Sequence, residues 1–459
     1  MRRYRFPWER GGLGKQIEGG PGRRSKMRLH RQIAVLGVTA IAGLCCAGSS
    51  VAGDQVDAGQ AASARSNVVI AWNQVLIDSL AAAGTPAPVG TRTGAIVQSA
   101  VFDAVNGIER RYTPIHVEPN APRGASQAAA AAAAAHEALI GLFPAQQATL
   151  DAQFASSLAA IGGSHGNNQS IARGVAWGED VADQILTWRA ADHFSDPLTP
   201  YVPTAQPGRW QPTPPAFLPQ PLFRQLAVTT PFALRSPSQF RPAGPPALTS
   251  ARYAADFNEV KGYGNAPTPE QAATAVFWNS DTVTAIWDRV ADQLAEARHL
   301  TLSDDARLLA AVNIALADTA IGIWEAKNYF DTWRPVTAIA QADTDNNPDT
   351  AAQPGWLPLI VTPAFQEYPS GHSGVSAAAA GVLASRFGDR TEFVVTSAGV
   401  PGAARTFTTF SAAVAQVNDA RVFAGIHFRF ACEDANRLGA NVARYVDQHM
   451  FLRSHRPRS

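Results

Sequence analysis

From Asn67 onward, apolar and polar positions alternate with the period of an α-helix. The stretches NVVIAWNQVLIDSLAAA (67–83) and RTGAIVQSAVFDAVNGIERR (92–111) place apolar side chains every three or four residues and end in small, turn-forming or basic residues. The Ala-rich stretch SQAAAAAAAAHEALIGLF (126–143) predicts a helix that its neighbours approach closely. Two further periodic stretches, about 145–161 and 170–190, complete a helical bundle over 67–193. The period then fails. Residues 194–250 are dense in proline, as in PGRWQPTPPAFLPQP and RPAGPPALTS, and read as a long ordered connector over the surface. Helices resume at Asp256–Val260, Pro269–Trp278 and Thr282–Ala297, followed by the strongest helix, expected to open with Ser303 as N-cap and Asp304 and Asp305 in its first turn. TEFVVTS (391–397) is the one strand candidate. The expected fold class is all-α: helical bundles, with a C-terminal four-helix-type bundle over 251–450.

Composition narrows the function classes. At 46% hydrophobic and 16% charged, the 459 residues describe an ordinary globular chain. A net charge of +1 provides no whole-molecule field toward nucleic acid or an anionic membrane, so any anion site must be local. Residues 22–52 read as a targeting segment: basic GRRSKMRLHRQ, apolar IAVLGVTAIAGLCCAG, then SSVAGD, with a cleavage expected after Ala52 and the product secreted or periplasmic. A retained anchor is the other reading of that run, and residues 1–26 form an N-terminal extension or follow a misplaced start. Cys45 and Cys46 fall inside the segment, leaving Cys432 alone in the mature chain and no intrachain disulfide. No later window is expected to span a bilayer.

Three clusters carry candidate anion chemistry. In KNYFDTWRP (327–335), Lys327 and Arg334 are seven residues apart, nearly two helical turns, with Trp324 one turn earlier; on a continuous helix ended by Pro335 they would share a face. A solvated pair, with Lys327 bonded to Asp331, is the bland alternative. In FQEYPSGHSGVSAAAAGVLASRF (365–387), Pro369 and Ser370 form a turn or N-cap, which leaves the N–H groups of Gly371 and His372 at a positive helix terminus. A plain cap with a surface histidine explains the same residues less fully. In NDARVFAGIHFRF (418–430), Arg421 lies in a helix that Gly425 ends, and His427 follows; a buried histidine bonded to backbone is the competing account. Together they suit a tetrahedral oxyanion with one histidine attacking or ligating it and another moving protons. HExxH, CxxC and GxxxxGK[ST] pairings are absent, which argues against zinc and nucleotide sites.

In order and spacing these clusters resemble the K-x6-RP, PSGH and R-x5-H signatures shared by the type 2 phosphatidic acid phosphatases and the vanadium-dependent haloperoxidases. The resemblance implies vanadate as cofactor, with Lys327, Arg334, Ser370, Gly371 and Arg421 binding its oxygens, vanadium bonded to His427 and His372 as acid-base partner. Hydrogen peroxide and halide would be the substrates, with Lys327 polarising the peroxide, and a small organic acceptor or a phosphate ester a further partner. Trp324 and Phe365 match aromatic positions beside the halide site. Asp281 resembles an acid that pairs with an oxyanion-binding arginine. Two positions depart from the pattern: Ala420 stands where many members have Ser, and Ala431 where many have an Asp that orients the ligand histidine, for which Glu433 and Asp434 are the nearby substitutes. The resemblance thus implies a secreted vanadate-dependent haloperoxidase. An acid phosphatase working through a phosphohistidine and a non-catalytic oxyanion-binding protein are the alternatives, and nothing in the pattern specifies an oligomeric state.

Overall fold

Side-chain caps set most of the helix starts. In this computed structural model, which describes residues 67–163 and 167–454, Asn67, Ser126, Asn167, Ser250, Thr268, Thr282, Thr301 and Thr409 each turn an oxygen onto a backbone N–H two or three residues ahead. The targeting segment and the expected cleavage site lie outside the described residues.

Five helices open the described chain: α1 (Val68–Ala82), α2 (Ala87–Glu109), α3 (Gln127–Leu142), α4 (Gln147–Gly163) and α5 (Asn168–Ala190). Every alanine from Ala129 to Ala135 is buried, and a side chain at Gly178 on α5 would collide with the Ala130 carbonyl. The Ala-rich face of α3 therefore works as a close-approach surface. After the connector come α6 (Ala251–Asn265), α7 (Pro269–Asn279), α8 (Val283–Ala297), α9 (Leu302–Phe330), α10 (Pro335–Ala340), α11 (Gly371–Phe387), α12 (Phe410–Phe423) and α13 (Arg429–His449). One continuous hydrophobic cluster joins Trp72, Phe102 and Val181 of the first helices to Trp287, Leu309, Ile323, Leu383 and Val442 of the later ones. Helix α9 runs through its centre, and α11 packs on α13 so closely that a Cβ at Gly439 would meet the Gly374 carbonyl. The all-α expectation holds.

Several local expectations change. The N-cap of α9 is Thr301, whose hydroxyl accepts from Asp304 N at 3.2 Å, while Ser303 is buried inside the first turn. Strand β1 (Phe393–Thr396) falls within TEFVVTS, but it pairs antiparallel with β2 (Ala404–Phe407), which carries no alternating pattern of its own. Helix α9, at 29 residues, is long and apolar enough to cross a bilayer, contrary to expectation; its apolar length is buried among the other helices.

Two buried carboxylates tie extended segments to helices. Asp103 on α2 accepts from the N–H groups of Ile115, His116 and Val117, each at 2.8 Å. Asp318 on α9 accepts from Phe232, Ala233 and Leu234 at 2.6, 2.8 and 2.9 Å. The second clamp holds the Pro-rich connector against α9, the helix that carries Lys327.

Candidate active site

Lys327 and Arg334 come together through a turn rather than along one helix. Helix α9 ends at Phe330, Asp331 takes the left-handed conformation (φ 52°), and Pro335 begins α10 instead of ending α9. Arg334 is the residue just before that new helix. Lys327 is fully buried, and its Nζ donates to the carbonyls of Gln366 and Glu367 at 2.8 and 2.9 Å rather than to Asp331. The Asp331 carboxylate instead accepts from the Tyr201 hydroxyl at 2.8 Å. Burial, then the neighbouring Arg334, lowers the Lys327 ammonium well below its ordinary value, with Glu367 opposing.

Ser370 precedes α11 but does not cap it. Unlike the eight capping residues above, it turns no oxygen onto its own helix, so the Gly371 and His372 N–H groups at this terminus receive no side-chain acceptor. The buried Ser370 Oγ has no nitrogen or oxygen partner and lies beside the Cys432 thiol. Arg421, in the last turn of α12, donates through Nη1 to Asn279 Oδ1 at 3.2 Å while its buried Nε finds no partner. Arg334 donates through Nε to Phe365 O at 2.6 Å and through Nη1 to Ile426 O at 2.9 Å, leaving its buried Nη2 unpaired. Burial lowers Arg334 to about 9 and Arg421 to about 10, so both stay charged near neutrality.

His427 is 2% exposed, and its two ring nitrogens have different partners. Nδ1 lies 2.9 Å from Glu367 Oε1, an oxygen that also accepts the Phe428 N–H at 3.0 Å. Nε2 lies 3.3 Å from Arg334 Nη1, an obligatory donor. An acceptor on one side and a donor on the other place the proton on Nδ1 and the lone pair on Nε2. Burial first, then Arg334, Lys327, Arg421 and His372, lowers the His427 pKa well below 6.5, so the ring is neutral. His372 is lowered in the same direction by burial, Arg421, Arg334 and Lys327. Those mutual influences put Lys327, Arg334, Arg421, His372 and His427 at one centre.

Trp324 and Phe365 flank it with ring centroids 5.2 Å apart. The Phe365 ring lies 5.2 Å from Lys327 Nζ and 4.7 Å from Arg334 Cζ, so both cations sit over it. A third ring, Phe223, stands 6.1 Å from each of the two and comes from the connector, where its φ is 63°. Phe223 and Asn279 were not singled out in the sequence, because each reaches the centre from a segment with no motif.

Three expected residues do not join the centre. Asp281 pairs with Arg289 and accepts from Ala398 N, while Asn279 takes the place at Arg421 expected for it. Glu433 pairs with Arg252 at 2.9 Å, and Asp434 accepts from the Tyr368 hydroxyl at 2.6 Å and pairs with Arg437. Neither reaches His427. Helix α13 begins at Arg429 and directs both acids to the far side, whereas Glu367 reaches the ring from the opposite segment. Its only signal in the sequence was a lone acid three residues before Ser370.

Buried cations beside a neutral histidine, with buried donors left unpaired, form a set able to hold a tetrahedral oxyanion on a helical scaffold. Residues 307–454 match the family described as the VCPO second helical-bundle domain. Over 81 residues the chain is 36% identical to the vanadium chloroperoxidase of Curvularia inaequalis, a match spanning 16% of this chain and 13% of that enzyme. A bacterial vanadium-dependent iodoperoxidase of known structure superposes with a TM-score of 0.74 at 27% identity, covering 85% of this chain and 98% of that one. A bacterial vanadium-dependent chloroperoxidase in its holo form shares the fold at a TM-score of 0.64 and 19% identity, over 79% of this chain and 92% of that one. The proteins this chain resembles are thus vanadium haloperoxidases, and the family-model match lies in its second bundle, over residues 307–454.

Proposed function

We propose that this chain is a vanadate-dependent haloperoxidase that oxidises halide with hydrogen peroxide to hypohalite. The observation that carries the reading is that Arg334 Nη2, Arg421 Nε and Ser370 Oγ are all buried without a nitrogen or oxygen partner, with the Arg334 guanidinium 3.3 Å from His427 Nε2. Unpaired buried donors are costly unless a ligand satisfies them, and this set fits a tetrahedral oxyanion.

Vanadate, when bound, supplies the Lewis acidity that activates hydrogen peroxide toward halide. His427 offers the Nε2 lone pair as the ligand atom. Lys327, Arg334, Arg421, Ser370 Oγ and the Gly371 N–H hold the oxygens and offset their charge. The net change, H2O2 + X⁻ + H⁺ giving HOX + H2O, consumes one proton, and His372 is the titratable group positioned to move it. Trp324, Phe365 and Phe223 exclude water on one side and offer ring edges to a halide. A phosphate ester fits the same donors, so hydrolysis is the competing outcome. The test compares peroxide-dependent iodide, bromide and chloride oxidation by vanadate-loaded wild type and His427→Ala. Loss of turnover to background in the variant is expected; turnover equal to wild type would overturn the assignment.

A further inference from the structure

As Arg334 does from the cation side, Glu367 stands in one of the three oxyanion clusters and touches the other two. Its carbonyl accepts from Lys327 Nζ at 2.9 Å, its carboxylate meets His427 Nδ1 at 2.9 Å, and it precedes Ser370 by three residues in the turn that starts α11. Its own N–H donates to Thr332 O at 3.1 Å, and its Oε1 also receives the Phe428 N–H at 3.0 Å, so the side chain is pinned at both ends. It is 1% exposed. Among the described residues no other carboxylate bonds His427, and the position four residues beyond that histidine is the methyl group of Ala431.

We propose that Glu367 is the positioning residue of the site: by accepting from Nδ1–H it fixes the His427 tautomer and ring plane, so that the Nε2 lone pair is presented to the bound oxyanion. The proposal deepens the functional reading above and rests on it for the identity of the anion. A histidine bonded at Nδ1 to a carboxylate is locked in one tautomer and is a stronger ligand at Nε2. Arg334 donates to Nε2 at 3.3 Å, a long contact that alone would hold the ring only loosely. Glu367 supplies the second, shorter anchor. The acid works from 60 residues upstream of the histidine, whereas the neighbouring acids on α13 are engaged elsewhere.

The test uses the full chain and two readouts that do not depend on turnover. Histidine-labelled wild type, Glu367→Ala and Glu367→Gln are examined without anion by long-range 1H–15N NMR, and vanadate and inorganic phosphate affinities are measured by calorimetry. Wild type should show His427 as the pure Nδ1–H tautomer with a strongly downfield ring proton. Glu367→Ala should show mixed tautomers and weaker vanadate binding by about 10- to 100-fold. Glu367→Gln keeps an acceptor of the same shape, so the tautomer should persist, the ring proton should move upfield, and affinity should fall by less than in the Ala variant. A folded Glu367→Ala with unchanged His427 signals and unchanged vanadate affinity would overturn the proposal. If that variant does not fold, a Glu367→Gln ring proton at the wild-type shift would overturn it instead. Should wild type bind neither anion, the functional reading fails, and the tautomer measurement still decides the role of Glu367.

Discussion

Lys327 illustrates how one residue trades stability for binding. Its ammonium is fully buried beside Arg334 and is lowered well below its ordinary pKa, so without a bound anion the protein would bear the cost of holding like charges out of water. Lys327→Met removes a charge whose burial opposes folding, at the expense of two carbonyl contacts. The apo variant should therefore melt within about 1 kcal/mol of wild type. Saturating vanadate or phosphate should raise the melting temperature of wild type by several degrees and that of Lys327→Met much less. Equal ligand-induced shifts in differential scanning calorimetry would show that Lys327 takes no part in anion binding. At this scale the residue types are legible in part: Lys327, Arg334, Arg421 and His427 are buried and, with His372, lie within electrostatic reach of one another, while Ser370 sits beside the Cys432 thiol. Their partners were less so. The spacing of Lys327 and Arg334 suggested one helix face, yet a left-handed Asp331 and a second helix bring them together. Glu367, Asn279 and Phe223 reach the site across the fold, and no local pattern encodes that approach.

Among elements, the Pro-rich connector does more than join two runs of helices. Asp318 on α9 holds it through three backbone N–H groups, Trp324 Nε1 donates to Leu222 O at 3.2 Å, and Leu222 N donates to Ala364 O at 2.9 Å. Those bonds set Phe223 beside Trp324 and Phe365. Asp318→Ala leaves three N–H groups without their acceptor and should cost about 2–5 kcal/mol in chemical denaturation. A loss below about 1 kcal/mol would mean that the connector is held by packing alone. Helix starts and the strongest helices were readable because caps and a 3.6-residue period are local properties. The six-residue α10 and strand β2 were not, because α10 is too short for a period and ARTF becomes a strand only by pairing with β1.

Across the whole molecule, buried carboxylates in the shared core couple stability to pH. Burial raises Asp288 to about 7, against hydrogen bonding from Asn313, which donates to Oδ1 at 2.7 Å. A folded pKa above the unfolded one means that the folded state binds the proton more tightly. Its contribution is fully present below about pH 4 and is lost as pH rises toward about 7. Asp288→Asn should flatten the pH dependence of the melting temperature across that window and stabilise the protein at pH 8 by about 1–3 kcal/mol. An unchanged pH profile would mean that Asp288 is not protonated in the folded protein.

The central claim is that the cation-lined histidine site binds vanadate and uses it to oxidise halide. The most direct measurement is peroxide-dependent halide oxidation by the purified chain before and after vanadate loading, with p-nitrophenyl phosphate hydrolysis measured on the same preparations. Turnover that appears on vanadate loading, with hydrolysis at background, is the result expected here. Phosphate-ester hydrolysis that vanadate inhibits, with no halide oxidation at any loading, would contradict it and make the same residues a phosphatase.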